Sequence, residues 1–314
     1  MSLNTPEQYK ESLRRMRPNI YKFGEQIGDV TTHPATRRTV KSHARIFAKA
    51  LDPETRDIVT KKSSLTGQQV SRYLSLIESP EDMYANSIMK RKMFHWTGTC
   101  TGGRCAGWNA FNSMWAVTYD MDADLGTDYH QRLRNWLIDA QDRDITIAGA
   151  LTDPKGDRTR PPSQQDDPDM NLRMVEKREG GIVVRGAKTM ICGVAAANEI
   201  FVLPGSAYKE AERDYCISFA IPRDIEGLTI VETRRPSDTR EQEPKAGFDL
   251  PEGAGGITQA YLFFEDVFIP EERIFMCGEH KYTLGAVMNF IMPYRAAIGG
   301  CVAGQGDIKI GSAV

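Results

Sequence analysis

The sequence lacks the features that mark a membrane-spanning, secreted or disulfide-stabilised protein. Its 314 residues contain no run of 18 apolar residues, so no segment is predicted to span a membrane. The N-terminus has no apolar core of the kind found in secretory signals. Six cysteines are too few for a disulfide scaffold in a chain of this length, and we expect them to be thiols or ligands. Together these absences favour a cytoplasmic globular protein.

An excess of charge of one sign is also lacking. Lysine and arginine total 40 and aspartate and glutamate total 42, which gives a net charge of −2 and no basic field that would favour nucleic acid. We interpret the basic run Lys90-Arg91-Lys92 as the solvated face of a helix. Gly102-Gly103 is not followed by the Lys-Ser/Thr of a phosphate-binding loop. The sequence therefore predicts no nucleic-acid partner.

Two cysteines lie in an unusually glycine-rich stretch. Cys100 and Cys105 stand within residues 97–107, where the glycines predict a turn between two helices. One interpretation is a pocket that holds a cofactor or a metal cluster. The other is a turn with two buried thiols, because Cys-x4-Cys is not a standard zinc spacing and a thiol packs as a small apolar group. The residues themselves leave both interpretations open.

The hydrophobic pattern changes twice along the chain. A capping box at Thr5 and Gln8 and a helix start at Ser79 belong to a mostly helical segment. From residue 146 onward, short strands separated by turns predict a β-barrel or β-sandwich of about 125 residues. Helical periodicity returns after residue 277, and the sequence stops as a further helix opens, so we expect the last domain to be incomplete. The predicted fold class is α+β.

Several local sequences carry a family resemblance. In chain order they are Glu7–Leu13, Tyr21–Glu25, His33-Pro34, Leu151–Arg158, Val175–Arg178, Gly181–Lys188, Asp266–Pro270 and Gly299–Cys301. With them the chain resembles the 4-hydroxyphenylacetate 3-hydroxylase family of flavoproteins, and within it the branch of 4-hydroxybutyryl-CoA dehydratase (vinylacetyl-CoA isomerase). The resemblance implies an acyl-CoA dehydrogenase-like fold: a helical domain over 1–145, a β domain with flavin-binding loops over 146–276, and the start of a C-terminal helical domain over 277–314.

The resemblance implies bound FAD. The residues that it implies for flavin contact are Leu151, Thr152, Asp153, Lys155, Arg158, Met190, Ile191, Cys192 and Gly193. At one of these positions, Cys192, the family usually has a threonine. A thiol is a weaker hydrogen-bond donor than a hydroxyl, so the interaction with the flavin is expected to differ here.

The dehydratase branch also carries a [4Fe–4S] cluster, and the resemblance places metal ligands at Cys100, Cys105 and Cys301. Cys100 matches only if one residue is inserted, because the family spacing is Cys-x3-Cys. The position of the fourth ligand, a histidine, falls at Tyr294, and phenolate is a rare ligand for such clusters. The position of the catalytic glutamate falls at Gln259, which cannot act as a base. The tyrosine and lysine positions that flank the last cysteine fall at Ile298 and Val302.

The resemblance implies an enzyme that acts on Cα–H and Cβ–H bonds of a short acyl-CoA-like substrate, as an oxidoreductase or lyase, with Arg104, Tyr294 and Gln259 at its catalytic positions. Arg104 is implied to hold a substrate oxygen, and the alternative is a surface ion pair.

A second hypothesis is a reduced-flavin-dependent hydroxylase of phenols, served by a flavin reductase, although its tyrosine and histidine positions fall near Trp108 and at Gly149. A third is a non-catalytic relative. A homotetramer or homodimer is expected.

Overall fold

The computed structural model of the chain describes residues 3–100, 102–233 and 256–314, so that Thr101 of the predicted cysteine turn lies outside the described residues. The helices are α1 (Pro6–Arg14), α2 (Arg37–Leu51), α3 (Arg56–Val59), α4 (Pro80–Thr97), α5 (Gly102–Leu125), α6 (Tyr129–Arg143) and α7 (Thr283–Ala313). The strands are β1 (Ile20–Lys22), β2 (Glu25–Gln26), β3 (Thr60–Lys62), β4 (Gln69–Ser71), β5 (Ile147–Ala150), β6 (Arg173–Arg178), β7 (Gly181–Cys192), β8 (Glu199–Val202), β9 (Ile217–Pro222), β10 (Leu228–Glu232), β11 (Gln259–Pro270) and β12 (Ile274–Cys277).

The predicted order of helices, strands and a final helix is confirmed. The strands form a six-stranded sheet in the order β2-β1-β10-β11-β7-β6 and a four-stranded sheet in the order β12-β9-β8-β5, with β3 and β4 in a separate small sheet. The hairpin of β1 and β2 comes from the mostly helical first segment, yet β1 pairs in parallel with β10. The first 145 residues therefore contribute two strands to the large sheet, and the division into domains at residue 145 stays a prediction.

Side-chain caps begin α1 and α4 where the sequence predicts them. The capping box of Thr5 and Gln8 is present, and the Ser79 hydroxyl accepts from the backbone of α4. At the start of α6, the carboxylate of Asp122 accepts from the backbone N–H groups of Tyr129 and His130, and Thr127 donates its hydroxyl to the same carboxylate.

Glycines allow α7 to contact α4 through the backbone. A Cβ atom added to Gly300 would lie 2.0 Å from the carbonyl oxygen of Ser87, and one added to Gly304 would lie 2.8 Å from that of Arg91. Any larger side chain at Gly300 would therefore separate the two helices. This close approach fixes the height and rotation of α7 relative to α4, and with them the positions of the side chains that α7 carries toward α4.

Close backbone contacts at glycines also join α5 to strand β5. A Cβ atom on Gly107 would lie 2.3 Å from the carbonyl oxygen of Ile147 in β5, and one on Gly149 would lie 2.6 Å from the backbone of Ala106. The glycine-rich stretch 97–107 is thus only partly a turn. Gly98 ends α4 in the left-handed conformation, and α5 already begins at Gly102, so that Cys105 lies in the first turn of a helix.

Helix α7 is also the segment closest to a membrane span in composition. The stretch His280–Ala313 is long and apolar enough to cross a membrane by length and composition alone, although it contains no unbroken run of 18 apolar residues. Here it packs against α4 and α5. Only 22% of its most apolar window is buried, and the backbone contact at Gly300 accounts for small residues on the face toward α4.

Substitutions of two adjacent glycines test the α4–α7 contact. We expect Gly300→Ala to lower the free energy of unfolding by about 1–3 kcal/mol, because its methyl group would overlap the Ser87 carbonyl. Gly299→Ala is the matched control, since nothing lies within 4 Å of the added atom, and it should be neutral or stabilising by up to about 1 kcal/mol. Urea unfolding of both variants measures the difference, and equal midpoints would refute the contact.

Candidate active site

The two segments implied for flavin contact lie side by side. The backbone N–H of Thr189 donates to the carbonyl oxygen of Thr152 over 2.8 Å. Beneath this contact, the amino group of Lys188, which is 2% exposed, donates to the carbonyl oxygens of Leu151 at 3.1 Å and Leu203 at 2.9 Å. A buried cation therefore connects the loop after β5 to the end of β7. Sequence reasoning did not single out Lys188, although a lysine within a buried strand is a rare pattern that signals an internal partner.

Asp153 is the partner of that cation. Its carboxylate lies 2.7 Å from Lys188 Nζ and accepts the Tyr208 hydroxyl over 2.9 Å. A Cβ atom on Gly205 would lie 1.9 Å from this carboxylate, so the close approach requires glycine. The carboxylate of Asp153 is thus bound to partners inside the protein, and these contacts hold the conformation of its loop.

The loop also lines a cavity of about 650 Å³. Its lining contains the basic residues Lys155, Arg158, Arg160 and Lys209 against the acidic residues Asp153 and Glu212, so basic side chains are in the majority. Arg160 is paired with Asp157 and Asp166. Among the described residues neither Lys155 nor Arg158 forms an ion pair, so both are available to an anionic group. Such a surface fits the pyrophosphate of a dinucleotide.

A second group of predicted residues meets between α4, α5, α7 and the end of β7. We call it the thiol site, and it consists of Cys100, Cys105, Cys192, Cys301, Tyr294 and Lys90, whose charges act on one another. None of the six cysteines, all within the described part of the chain, is in a disulfide. The structure therefore brings together cysteines that are up to 201 positions apart in the sequence.

Cys105 is the acceptor at the centre of the thiol site. The thiol of Cys100 donates a hydrogen bond to its sulfur, and this is the largest influence that lowers the pKa of Cys105 below that of an ordinary thiol. The Lys90 ammonium and the Tyr294 hydroxyl act in the same direction, against the effect of burial. The same hydrogen bond, together with burial, raises the pKa of Cys100. Of the two cysteines, Cys105 is therefore the more acidic.

Lys90 was misjudged from the sequence. It is 2% exposed, so the interpretation of Lys90-Arg91-Lys92 as a solvated face is wrong for its first member. The ammonium lies 5.0 Å from the ring centre of Tyr294 and 5.9 Å from that of Trp108. Within the described residues its nitrogen has no hydrogen-bond partner. The charge of Lys90 lowers the pKa of Cys105 and so favours a negative neighbour for this buried ammonium. Helical spacing gave the signal, because Lys90 shares the buried face of Asn86 and Met93.

The remaining thiols have the character of neutral groups. Burial and the charge of Cys105 raise the pKa of Cys301 to about 11. Burial also raises the pKa of Cys192, whose sulfur accepts a hydrogen bond from the Gln259 amide over 3.4 Å. Cys192 and Gln259 are direct partners in the β7–β11 ladder. The implied flavin segment therefore reaches the thiol site through Cys192, while Ile191 beside it is core and Met190 is 47% exposed.

The predicted site residue Arg104 has a different set of partners from Cys105. It is 2% exposed, so the alternative of a surface ion pair is wrong. Its guanidinium lies 4.7 Å from the ring centre of Phe47 and 5.2 Å from that of Tyr73. Burial lowers its pKa, against the charge of Asp144. These contacts place Arg104 among the aromatic residues of the helical part.

The other two positions of the phenol-binding set are occupied by structural groups. The indole N–H of Trp108 donates to the carbonyl oxygen of Ser75 over 2.9 Å. Gly149 has no side chain and cannot acquire one without meeting the backbone of Ala106. The set of three groups that would hold a phenol is therefore not assembled around these positions.

The thiol site does not fit a [4Fe–4S] cluster in this arrangement. Cluster ligation requires cysteine thiolates that each bind a separate iron. Here the position of the fourth ligand holds Tyr294, whose pKa the charge of Cys105 and burial raise, so that it keeps its proton and is a poor ligand for iron. In the described ranges no three His, Cys, Asp or Glu side chains are arranged to hold a metal ion. The three cysteines predicted as ligands are thus neighbours, but the group at the fourth position does not suit iron.

Comparisons with known proteins agree with the resemblance. The family model described as 4-hydroxyphenylacetate 3-hydroxylase N terminal matches residues 5–276. The chain is 41% identical over 311 residues to 4-hydroxybutyryl-CoA dehydratase/vinylacetyl-CoA-Delta-isomerase of Clostridium aminobutyricum, a match that covers 99% of this chain and 63% of that protein. The chain thus spans less than two thirds of the length of this relative.

Two solved structures have the same fold. An oxygen-tolerant archaeal 4-hydroxybutyryl-CoA dehydratase from N. maritimus matches with a TM-score of 0.93 and 35% identity, over 99% of this chain and 61% of its own. The oxygenase component of 4-hydroxyphenylacetate 3-monooxygenase, solved with FAD, matches with a TM-score of 0.80 and 25% identity, over 99% of this chain and 63% of its own. The predicted acyl-CoA dehydrogenase-like α+β fold is confirmed.

The pH dependence of alkylation tests the charge on Cys105. In the unmodified protein, site-resolved mass spectrometry should show Cys105 reacting with iodoacetamide with a midpoint below about 8.5, the value for an ordinary thiol. Lys90→Met removes the nearby positive charge and should raise this midpoint by on the order of one unit. Lys92→Met, on the exposed side of the same helix, should leave it unchanged. Equal midpoints in both variants would contradict the assigned role of Lys90.

Proposed function

The chain belongs to the 4-hydroxyphenylacetate 3-hydroxylase family, and from this we propose that it is an FAD-dependent cytoplasmic enzyme acting on Cα–H and Cβ–H bonds of a short acyl-CoA-like substrate. The observation that carries the proposal is the position of the thiol site against the end of β7. There Cys192 and Gln259 connect the implied flavin segment to the thiolate of Cys105. The 41% identity to a dehydratase and isomerase of acyl-CoA supports this substrate class.

We assign FAD to the two adjoining loops. Leu151, Thr152, Lys155 and Arg158 would hold it on one side and Met190 to Gly193 on the other. The buried ion pair of Lys188 and Asp153 would keep the first loop in shape, and the cations at the cavity would face the pyrophosphate. When bound, FAD supplies an acceptor for the two electrons of a C–H bond. The oligomeric state, homotetramer or homodimer, stays a prediction.

Within this proposal, Cys105 is the group that accepts a proton from the substrate α-carbon. Gln259 is neutral and can only donate or accept hydrogen bonds, so it suits the orientation of a carbonyl group or of Cys192. Tyr294 keeps its proton, because the charge of Cys105 and burial raise its pKa. Of the cysteines and the tyrosine at the thiol site, Cys105 has a lowered pKa, which suits a general base.

Binding of FAD can be measured separately from catalysis. Replacing both Lys155 and Arg158 by alanine should weaken FAD binding about tenfold or more, because each charged contact to a phosphate is worth about 1.5–3 kcal/mol. Lys92→Ala, which removes an exposed cation far along α4, should leave the affinity unchanged. Fluorescence titration of FAD gives the dissociation constants. Equal affinities for the double variant and the control would exclude this cavity as the pyrophosphate site.

Proton exchange tests the reaction itself. The FAD-loaded protein should exchange α-hydrogens of vinylacetyl-CoA with deuterium oxide under anaerobic conditions, followed by mass spectrometry. Cys105→Ser should abolish exchange without loss of FAD, whereas Cys277→Ser, at a thiol in β12, should retain it. The competing outcome is hydroxylation of 4-hydroxyphenylacetate by the reduced-flavin protein with oxygen. That result without any acyl-CoA exchange would overturn the proposal in favour of a monooxygenase, for which a flavin reductase would be the partner.

A further inference from the structure

One residue, Tyr208, joins the cavity beside the loop after β5 to the start of α7. We propose that Tyr208 is a positioning residue that couples occupation of this cavity by an anionic group to docking of the first turn of α7. This coupling rests on the proposed function, in which the anionic group is the pyrophosphate of FAD. It adds a connection between the bound cofactor and the helix that carries Tyr294 and Cys301 to the thiol site.

An aspartate in the lining of an anion-binding cavity would repel the ligand unless its own charge were compensated. Asp153 lines the cavity together with Lys155, Arg158 and Tyr208. The ammonium of Lys188 lies 2.7 Å from its Oδ1 atom, and the Tyr208 hydroxyl donates to its Oδ2 atom over 2.9 Å. One carboxylate oxygen thus faces a cation and the other a donor, which reduces the negative charge that an anion in the cavity would meet.

The hydroxyl of Tyr208 is held as a donor. Burial and the charge of Asp153 raise the pKa of Tyr208, so the proton stays on the tyrosine at neutral pH. Gly205, three residues earlier, passes directly over the same carboxylate, and a Cβ atom on it would lie 1.9 Å from Oδ2. Tyr208 therefore reaches Asp153 only while the segment from Gly205 to Tyr208 keeps this path.

The backbone of Tyr208 is bound by α7. Its N–H donates to the hydroxyl oxygen of Thr283, the first residue of α7, over 2.9 Å. Thr283 is fully buried, and its hydroxyl donates in turn to the carbonyl oxygen of His280 over 2.7 Å. If the start of α7 moved away, the backbone of Tyr208 would lose this contact, and the Tyr208 hydroxyl would no longer be held on Asp153.

Thermodynamic linkage makes the effect reciprocal. An anion binds more weakly when Asp153 lacks its hydroxyl donor, because one carboxylate oxygen is then uncompensated. The ratio of the anion affinities with α7 docked and undocked is also the factor by which the anion stabilises the docked state. Occupation of the cavity therefore holds the start of α7 in place.

Ligand-dependent hydrogen–deuterium exchange tests the coupling. Saturating FAD should slow the exchange of backbone amides in residues 284–290 on the order of tenfold, as measured by mass spectrometry on the 314-residue chain. Tyr208→Phe keeps the ring and the backbone donor but removes the hydroxyl. It should raise the dissociation constant of FAD on the order of tenfold and abolish the effect of FAD on exchange.

Variants of the α7 residue and a matched tyrosine serve as controls. Thr283→Val should act as Tyr208→Phe does, whereas Thr283→Ser keeps the hydroxyl and should restore both values. The ring centre of Tyr215 lies 6.2 Å from that of Tyr208, but its hydroxyl donates to the carbonyl oxygen of Pro168. Tyr215→Phe should therefore behave as the unmodified protein. Unfolding midpoints show whether each variant is folded, and the Thr283 pair decides the matter if Tyr208→Phe is not.

Inorganic pyrophosphate as a second probe separates the coupling from the assignment of FAD. Protection of α7 by pyrophosphate but not by FAD, lost in Tyr208→Phe, would support the coupling while rejecting FAD as the ligand. Protection by FAD without acyl-CoA exchange would support it while rejecting the proposed reaction. The coupling is overturned if FAD binds without changing exchange in α7, if Tyr208→Phe and Tyr215→Phe bind FAD equally, or if neither probe binds.

Discussion

The contact between the backbones of α4 and α7 is the constraint on which the thiol site depends. Gly300 lies so close to the Ser87 carbonyl that no side chain fits between the helices. One face of α7 consequently brings Tyr294 and Cys301 to Lys90, which projects from α4. Gly107 fixes α5 against β5 in the same way, and Cys105 is carried with it. Four groups from three helices thus converge because two glycine contacts leave the helices no other spacing.

Electrostatics then determines what these groups can do. A buried ammonium and a buried thiolate would each be costly alone, and together they are mutually compensating. The two donors, Cys100 and Tyr294, complete the environment of the Cys105 sulfur. The result is an acidic thiol beside the segment that we propose for flavin contact. In the proposed reaction this thiol would act as the base toward a carbon acid.

Much of the fold was predictable, because capping boxes, helical periodicity and short strands between turns depend on local sequence. The family resemblance predicted that Cys100, Cys105 and Cys301 lie close together. The spacing of these cysteines along the sequence does not predict it. Lys90 and Lys188 were missed for a physical reason: each is a charged residue whose burial is justified only by partners distant in sequence. For Arg104 the reverse holds. Its place between the two cysteines suggested a role in the site, but the sequence did not show that its guanidinium lies against the aromatic rings of Phe47 and Tyr73.

We propose that Cys105 acts as a base whose pKa is lowered by the Cys100 thiol, Lys90 and Tyr294, and not as the ligand of a cluster. A crystal structure of the reduced protein, prepared without oxygen and after incubation with iron and sulfide, tests this claim most directly. The account predicts that the Cys100 and Cys105 sulfurs lie in hydrogen-bond contact, with the Tyr294 hydroxyl on the Cys105 sulfur. Electron density for an iron–sulfur cluster, with Cys100, Cys105 and Cys301 each bound to a separate iron, would contradict it.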